Sequence, residues 1–312
     1  MNSSYSKEEF SLLIKKRARE LGFFACGIAK AEPVDLEHAK HFQSWINSGK
    51  QAEMHYLNNY FDKRTNPSLL VPGTKSVISL ALNYYPKRFL SEKEYQIAWY
   101  AYGKDYHITM KEKLTSLFDY INSIVPIQGR VFSDTAPVLE RYWAWKAGLG
   151  WIGKNTQLIL PKAGSSFFLG ELFIDLELSY DTQQDERCGS CTKCLDACPT
   201  QALTEANKLD ARRCLSYLTI ENREAIPTEF VKSIQNKIYG CDECLKACPW
   251  TRYATPTEVE EFNLSEELLS MKREDWHQLS EKEYQELFRK TAIKRAKFSG
   301  LRRNIEAAQS ND

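Results

Sequence analysis

Cys188-Gly189-Ser190-Cys191-Thr192-Lys193-Cys194-Leu195-Asp196-Ala197-Cys198-Pro199 places four cysteines at gaps of two, two and three residues and closes on a proline. That spacing holds paired [4Fe–4S] cubes: short loops let three thiolates converge on one cube, and the fourth reaches across to the other. A second run, Cys241-x2-Cys244-x3-Cys248-Pro249, ends the same way but lacks a cysteine three positions before Cys241. Cys214 is the candidate to replace it. The crossed arrangement assigns Cys188, Cys191, Cys194 and Cys248 to one cluster, and Cys198, Cys214, Cys241 and Cys244 to the other. Two Zn(Cys)4 sites are the competing reading, because CxxC pairs across a long spacer also suit zinc. Zinc needs neither the third thiolate two residues on nor the proline after each last cysteine.

Eight of the nine cysteines of this 312-residue chain thus fall in one block. The length suffices for about two domains and a sizeable core without disulfide support. No apolar run approaches the ~18 residues that span a bilayer, and Met1–Phe10 is polar, without the apolar centre of a signal peptide. A cytoplasmic protein with no membrane contact is expected, and in that reducing compartment clustered cysteines serve metals or catalysis. Cys26 lies in the short apolar run Phe23–Ala29 and reads as a structural thiol on a buried strand. Lys and Arg number 42 against 41 Asp and Glu, so the net charge of +1 excludes a globally basic nucleic-acid binder. The balance hides a split. Residues 257–287 carry ten acids and three bases, whereas Arg289, Lys290, Lys294, Arg295, Lys297, Arg302 and Arg303 lie in a stretch with no acid. A solvated helix face explains such a run as readily as phosphate contact does.

About 180 residues precede the cysteine block, too many for a bare electron carrier. Ser6 and Glu9 form a capping box, Phe10, Leu13, Ile14, Ala18 and Leu21 line one helical face, and Gly22 ends the helix. Strands are expected at Phe23–Ala29, Ser76–Leu82 after the Pro72-Gly73 turn, around Arg130–Phe132, and over the apolar runs Thr156–Leu160 and Phe167–Leu178. Helices are expected near 109–123 and over Ala136–Ala147, the second ended by Gly148. The alternation predicts an α/β or α+β sheet domain over 1–180, then a cluster module over 181–256 with helical pieces between its ligands, then a helical segment over 257–312.

Three further stretches, Trp99-Tyr100-Ala101-Tyr102-Gly103-Lys104-Asp105-Tyr106-His107, Ser133-Asp134-Thr135-Ala136-Pro137-Val138-Leu139-Glu140-Arg141 and Ala147-Gly148-Leu149-Gly150-Trp151-Ile152-Gly153-Lys154-Asn155-Thr156, precede the split cassette that ends Cys248-Pro249-Trp250. In this order the chain resembles the epoxyqueuosine reductases, over about residues 10 to 305. The resemblance implies an α+β fold: a nitroreductase-like α/β cobalamin domain related to that of reductive dehalogenases, followed by a ferredoxin-like two-cluster module. It implies an oxidoreductase that removes the epoxide oxygen of epoxyqueuosine at the tRNA wobble position, giving queuosine. Its implied cofactors are two [4Fe–4S] clusters and base-off cob(II)alamin. The HEAT-type C-terminal repeats of many members are not expected here.

The same resemblance makes Asp134 the proton donor. On sequence alone Ser133 or Asp134 reads equally well as a helix N-cap. A helix N-terminus would lower the carboxyl pKa, so a general acid here requires burial against the corrin as the dominant influence. Tyr106 and His107 are able to donate protons or contact substrate, and a loop leading into the next helix explains them about as well. Gly148, Gly150 and Gly153 with Lys154 and Asn155 read either as a loop bent around the corrin or as a tight turn into a strand. Corrin contacts are implied at Asp134, Asn155, Leu158, Leu169, Ser216 and Asp242, with the cluster that includes Cys214 nearer the cofactor. With tRNA as substrate, Asn222, Arg223, Lys294, Arg295 and Lys297 become candidate RNA contacts. A low-potential donor such as flavodoxin or ferredoxin and a monomeric state complete the expectation. A corrinoid reductive dehalogenase and an electron-transfer protein serving a corrinoid partner are the alternatives; no twin-arginine export signal favours the first.

Overall fold

Lys7–Glu20 is a helix for the reasons its sequence carries. Ser6 Oγ accepts from the Glu9 N–H at 3.2 Å, the Glu9 carboxylate accepts from the Ser6 N–H at 2.8 Å, and Phe10, Ile14 and Ala18 are buried on one face. Gly22, at φ +87°, turns the chain into the first strand. The computed structural model describes residues 5–310; Met1–Ser4 of the polar N-terminal stretch lie outside the described residues.

Four strands form the central sheet, in the spatial order Ala25–Lys30, Ser76–Asn83, Phe167–Ile174, Gly129–Phe132. Every pairing is antiparallel. The alternation of helices and strands therefore builds an α+β layer rather than a parallel α/β sheet. The helices Lys7–Glu20 and Tyr106–Ile124 pack on one face with Ile28, Ile78, Leu80 and Leu172, while the helix Glu140–Lys146 covers the other with Val77, Ala81 and Phe173. Cys26 is half-buried in the first strand, and burial raises its thiol to about 12, the behaviour of an inert core cysteine.

Two elements differ from the expectation where the site lies. The helix predicted near 109–123 starts at Tyr106, because Asp105 supplies an N-cap, its carboxylate accepting from the His107 N–H at 3.0 Å. The helix predicted over 136–147 is only Glu140–Lys146, and 133–139 is irregular. Pro137 disfavours helical backbone at Ala136, which delays the start. Neither Ser133 nor Asp134 is an N-cap; Leu139 occupies that position without a side-chain bond. The run at 156–160 does not join the main sheet either. Leu158–Ile159 pairs with Trp151–Ile152 in a separate hairpin, where a Cβ on Gly150 would stand 2.1 Å from Ile159 O.

In the cysteine module the short helices Lys193–Asp196 and Glu243–Lys246 lie between ligands, and Pro249 opens a 3-10 turn after Cys248. The C-terminal helix Lys297–Gln309 buries Leu301, Ile305 and Ala308 in the same core as Phe10 and Ile28, so the three expected segments share one interior. This helix explains part of the basic run. The last carbonyls of the helix Leu215–Ile220 lack intrahelical donors. Arg303 donates to Leu218 O at 2.9 Å, Asn304 to Thr219 O at 2.8 Å and Arg223 to Ile220 O at 3.2 Å. Among the described residues no helix is long and apolar enough to cross a membrane.

Candidate active site

Asp134 stands on the irregular loop between the Gly129–Phe132 strand and the Glu140–Lys146 helix, with a left-handed φ of +58° that costs a non-glycine residue about 1–2 kcal/mol. Local contacts hold that backbone. Ser133 Oγ donates to Leu169 O at 2.9 Å, tying the loop to the sheet, and the Glu140 carboxylate accepts the Asp134 N–H. The Asp134 side chain thereby projects into a cavity of about 1610 Å3, walled also by Tyr106, His107, Glu140, Arg141 and Arg295.

Four side chains meet there in a line. Tyr106 Oη donates to Asp134 Oδ2 at 2.6 Å, and His107 Nε2 lies 3.2 Å from the same oxygen. His107 Nδ1 lies 2.6 Å from Asp105 Oδ1. The Tyr106 ring is stacked on Phe168, with centroids 4.2 Å apart. Burial alone would lower the His107 pKa, but its bonds to Asp105 and Asp134 more than offset this and bring it to about 9. The bond from His107 holds Asp134 below the usual carboxylate range, against burial and with help from Tyr106. At neutral pH the shared proton therefore sits on His107 and Asp134 is ionised. Within the protein's own groups the neighbouring imidazolium outweighs burial. Glu140 behaves oppositely, raised to about 8 by burial first and by the Asp134 charge second.

The cysteines gather in the crossed sets. Cys188, Cys191, Cys194 and Cys248 line one cavity of about 200 Å3 together with Asn155 and Trp250. Cys198, Cys214, Cys241 and Cys244 form the second group: burial raises the Cys244 thiol, and Cys214, Cys241 and Cys198 raise it further. Backbone donors point at the sulfurs, Ala202 N–H at 3.2 Å from Cys198 Sγ among them, as befits thiolates whose cluster potential is set by N–H···S bonds.

No cysteine is among the described residues that line the large cavity, but neighbours of each set are. Trp151 lines it while packing on Cys248 and Cys188, and Ile220 and Tyr239, which flank the Cys214 and Cys241 loops, line it from the other side. The expected corrin contacts divide. Asp134 lies in the cavity wall, but Asn155, 2% exposed, faces the 200 Å3 cysteine cavity and its Nδ2 has no partner. Leu158 is buried in the core beneath the Glu140–Lys146 helix, and Leu169 is half-buried against it. Ser216 Oγ lies 3.5 Å from Cys241 O, and the buried Asp242 carboxylate accepts the Trp99 N–H at 2.8 Å. Of the RNA candidates, Lys294 and Arg295 line the cavity, Arg295 in a two-pronged pair with Glu221 at 2.7 and 2.8 Å. Asn222 is buried, and Arg223 also donates to Ala296 O and Arg295 O. Sequence reasoning missed Glu140, Arg141 and Tyr239 as site residues, although Glu140 and Arg141 stand within a few positions of Asp134.

Comparisons with known proteins agree with this arrangement. The family model described as a 4Fe-4S double cluster binding domain matches residues 187–251, so the block holds iron–sulfur clusters, and the model for epoxyqueuosine reductase QueG matches 64–135. The epoxyqueuosine reductase of Cellulophaga algicola is 45% identical over 302 residues, covering 96% of this chain and 98% of that one. A crystal structure of epoxyqueuosine reductase with an epoxyqueuosine-modified tRNA-Tyr stem loop superimposes with a TM-score of 0.91 at 29% identity, over 98% of this chain and 82% of that chain. A catabolic reductive dehalogenase at 17% identity shares the fold, with a TM-score of 0.50 over 84% of this chain and 34% of that chain.

Proposed function

Because the chain belongs to the epoxyqueuosine reductase family, we propose that it reduces epoxyqueuosine in tRNA to queuosine, with the Asp134 group delivering protons in the large cavity. The observation that carries the reading is the juxtaposition of Asp105, His107, Asp134 and Tyr106 at a cavity whose wall also includes Trp151, packed on Cys248 and Cys188, and Tyr239, two residues before Cys241. Removing an epoxide oxygen as water takes two electrons and two protons. Cobalamin, when bound, supplies low-potential electrons that side chains cannot. A cavity of about 1610 Å3 exceeds the ~300–1,000 Å3 of ordinary ligand pockets and fits a macrocycle together with a nucleoside. Asp134, which lines the cavity, would meet the cofactor there, whereas Ser216 and Asp242 do not line that cavity.

His107 carries the proton at rest, and Asp134 passes it to the departing oxygen while Tyr106 fixes the carboxylate. Since His107 is raised, the active form exists below its pKa and is lost as pH rises through about 9. His107→Gln should abolish that alkaline limb and lower turnover at neutral pH; an unchanged limb would remove His107 from the path.

Lys294 in the cavity wall and Lys297 close by in sequence would contact RNA phosphates, with Arg295 held by Glu221 and Asn222 and Arg223 bracing the same corner. Reversing the charge of Lys294 and Lys297 should weaken tRNA binding and flatten its salt dependence, by about one log–log unit for each phosphate no longer neutralised. Unchanged affinity and slope would place the docking surface elsewhere. The cytoplasm, a monomeric state and a flavodoxin- or ferredoxin-like donor complete the proposal. The reading is tested in cells unable to reduce epoxyqueuosine: expressing this chain should convert the wobble nucleoside to queuosine, and persistence of epoxyqueuosine alone would refute it.

A further inference from the structure

One buried carboxylic acid pair takes no part in the proton delivery by His107 and Asp134. Glu171 lies in the middle of the Phe167–Ile174 strand, fully buried, with neither carboxyl oxygen hydrogen-bonded. It is paired in register with Ser79, whose hydroxyl is also buried and unpartnered, and with Phe132. By strand alternation it sits on the Val77, Ala81 and Phe173 face, beneath the helix that begins at Glu140. Glu140 itself lines the large cavity, and its carboxyl meets the Asp134 backbone. An unpartnered acid on the sheet thus lies within electrostatic reach of a second acid that touches the Asp134 loop.

We infer that Glu140, backed by Glu171, is the proton-relay residue that reloads Asp134 within a turnover. The inference rests on the proposed reduction of epoxyqueuosine. The oxygen of the epoxide is held by two C–O bonds and leaves as water, so the same atom takes two protons while a low-potential donor supplies two electrons. Asp134 is the carboxylate aimed into the cavity, and it carries one proton at a time. His107 reloads it once. For the second, the O–H bond of Glu140 breaks, an O–H bond forms on Asp134, and the negative charge moves from Asp134 to Glu140, whence Asp134 protonates the oxygen as the second C–O bond breaks. Two acids in one low-dielectric layer do not both ionise readily, so Glu171 stays neutral when Glu140 gives up its proton.

The groups facing Glu140 set its titration. Burial and then the Asp134 carboxylate disfavour its charge, while the Asp134 N–H, Arg141 on its own helix and His107 on the Tyr106–Ile124 helix favour it; Glu140 in turn raises Glu171 on the sheet, and the Tyr106 phenol stays neutral. The balance leaves Glu140 protonated below about 8, ready to donate at neutral pH.

Infrared titration of the cluster-loaded protein without substrate tests the store directly. Two protonated carboxyl bands should be present at pH 7: one, from Glu171, that persists throughout, and one that fades near pH 8, is absent in Glu140→Gln and is present in Asp134→Asn. A pH 7 spectrum without the band that fades near pH 8, or with that band unchanged in Glu140→Gln, would overturn the inference. In turnover, Glu140→Gln should lose about tenfold or more at neutral pH, with KM for tRNA unchanged and the fall near pH 8 gone, leaving only the one near 9. Glu140→Asp should recover part of the rate and restore a limb; Glu140→Gln with wild-type rate and profile would contradict the relay. Wild-type protein that fails to reduce the tRNA would defeat the parent reading alone, since the infrared result stands apart from it.

Discussion

Asp134→Asn is expected to lower reduction of epoxyqueuosine-tRNA by about 10²–10⁴-fold, the range that a positioned general acid supplies, with both clusters assembled and tRNA still bound. Asparagine keeps the shape of the side chain and an acceptor for Tyr106, now at 2.6 Å, so the loop and its left-handed backbone have no reason to rearrange. What is lost is the oxygen on which a proton can be loaded. His107 supplies an independent reading. Asp134 is one of two carboxylates that raise it to about 9, so in the variant its pKa should fall toward the usual histidine value with Asp105 alone beside it. Folded-state stability linked to that proton, present below the unfolded-state pKa near 6.5 and lost as pH rises through 9, should shrink accordingly. Turnover within a factor of a few of wild type would remove Asp134 from proton delivery.

Cys188→Ala combined with Cys248→Ala should cost the protein about half of its iron and sulfide and leave one intact cluster. The crossed arrangement puts both cysteines on the same cavity, 60 residues apart in sequence, so the second change removes nothing that the first has left. Cys188→Ala with Cys241→Ala should instead strip both clusters, because these two thiols belong to different groups. Sequential pairing, in which the second run serves its own cluster, predicts the opposite for the first double variant. Either way the electron path is cut and reduction of tRNA should fall to background. Cys26→Ala, on the first sheet strand, should change neither iron content nor colour.

The cysteine sets were legible because their ligand spacing is local: gaps of two and three residues encode the loops that converge on a cube. The capping box at Ser6 and Glu9 and the strand at 76–83 were legible for a similar reason, since caps and runs of apolar residues act within a few positions. The Asp134 loop was not. A helix from Ala136 fitted the composition, and only the restriction imposed by Pro137 and the contacts of Ser133 and Glu140 with the sheet and loop keep 133–139 irregular. The sense of the Asp134 pKa shift was equally hidden, because it depends on His107, 27 residues away, reaching the same carboxylate. Glu171 reads in sequence as a polar interruption of the run Phe167–Ile174, and only the sheet register places it under Glu140. The basic run shows the converse. Its charge was plain, yet Arg303 is spent on helix carbonyls and Arg295 on Glu221, while Lys294 lines the cavity.

The central claim is that electrons from the cysteine clusters and protons from the Asp134 group meet in one cavity to remove an epoxide oxygen. It is tested most directly by incubating the cluster-reconstituted protein, under anaerobic conditions and with a strong reductant, with tRNA carrying epoxyqueuosine, in the presence and absence of cobalamin, and weighing the wobble nucleoside. The account predicts loss of one oxygen atom in the cobalamin-containing reaction and none without it. An unchanged nucleoside in both, or equal conversion in both, would contradict it.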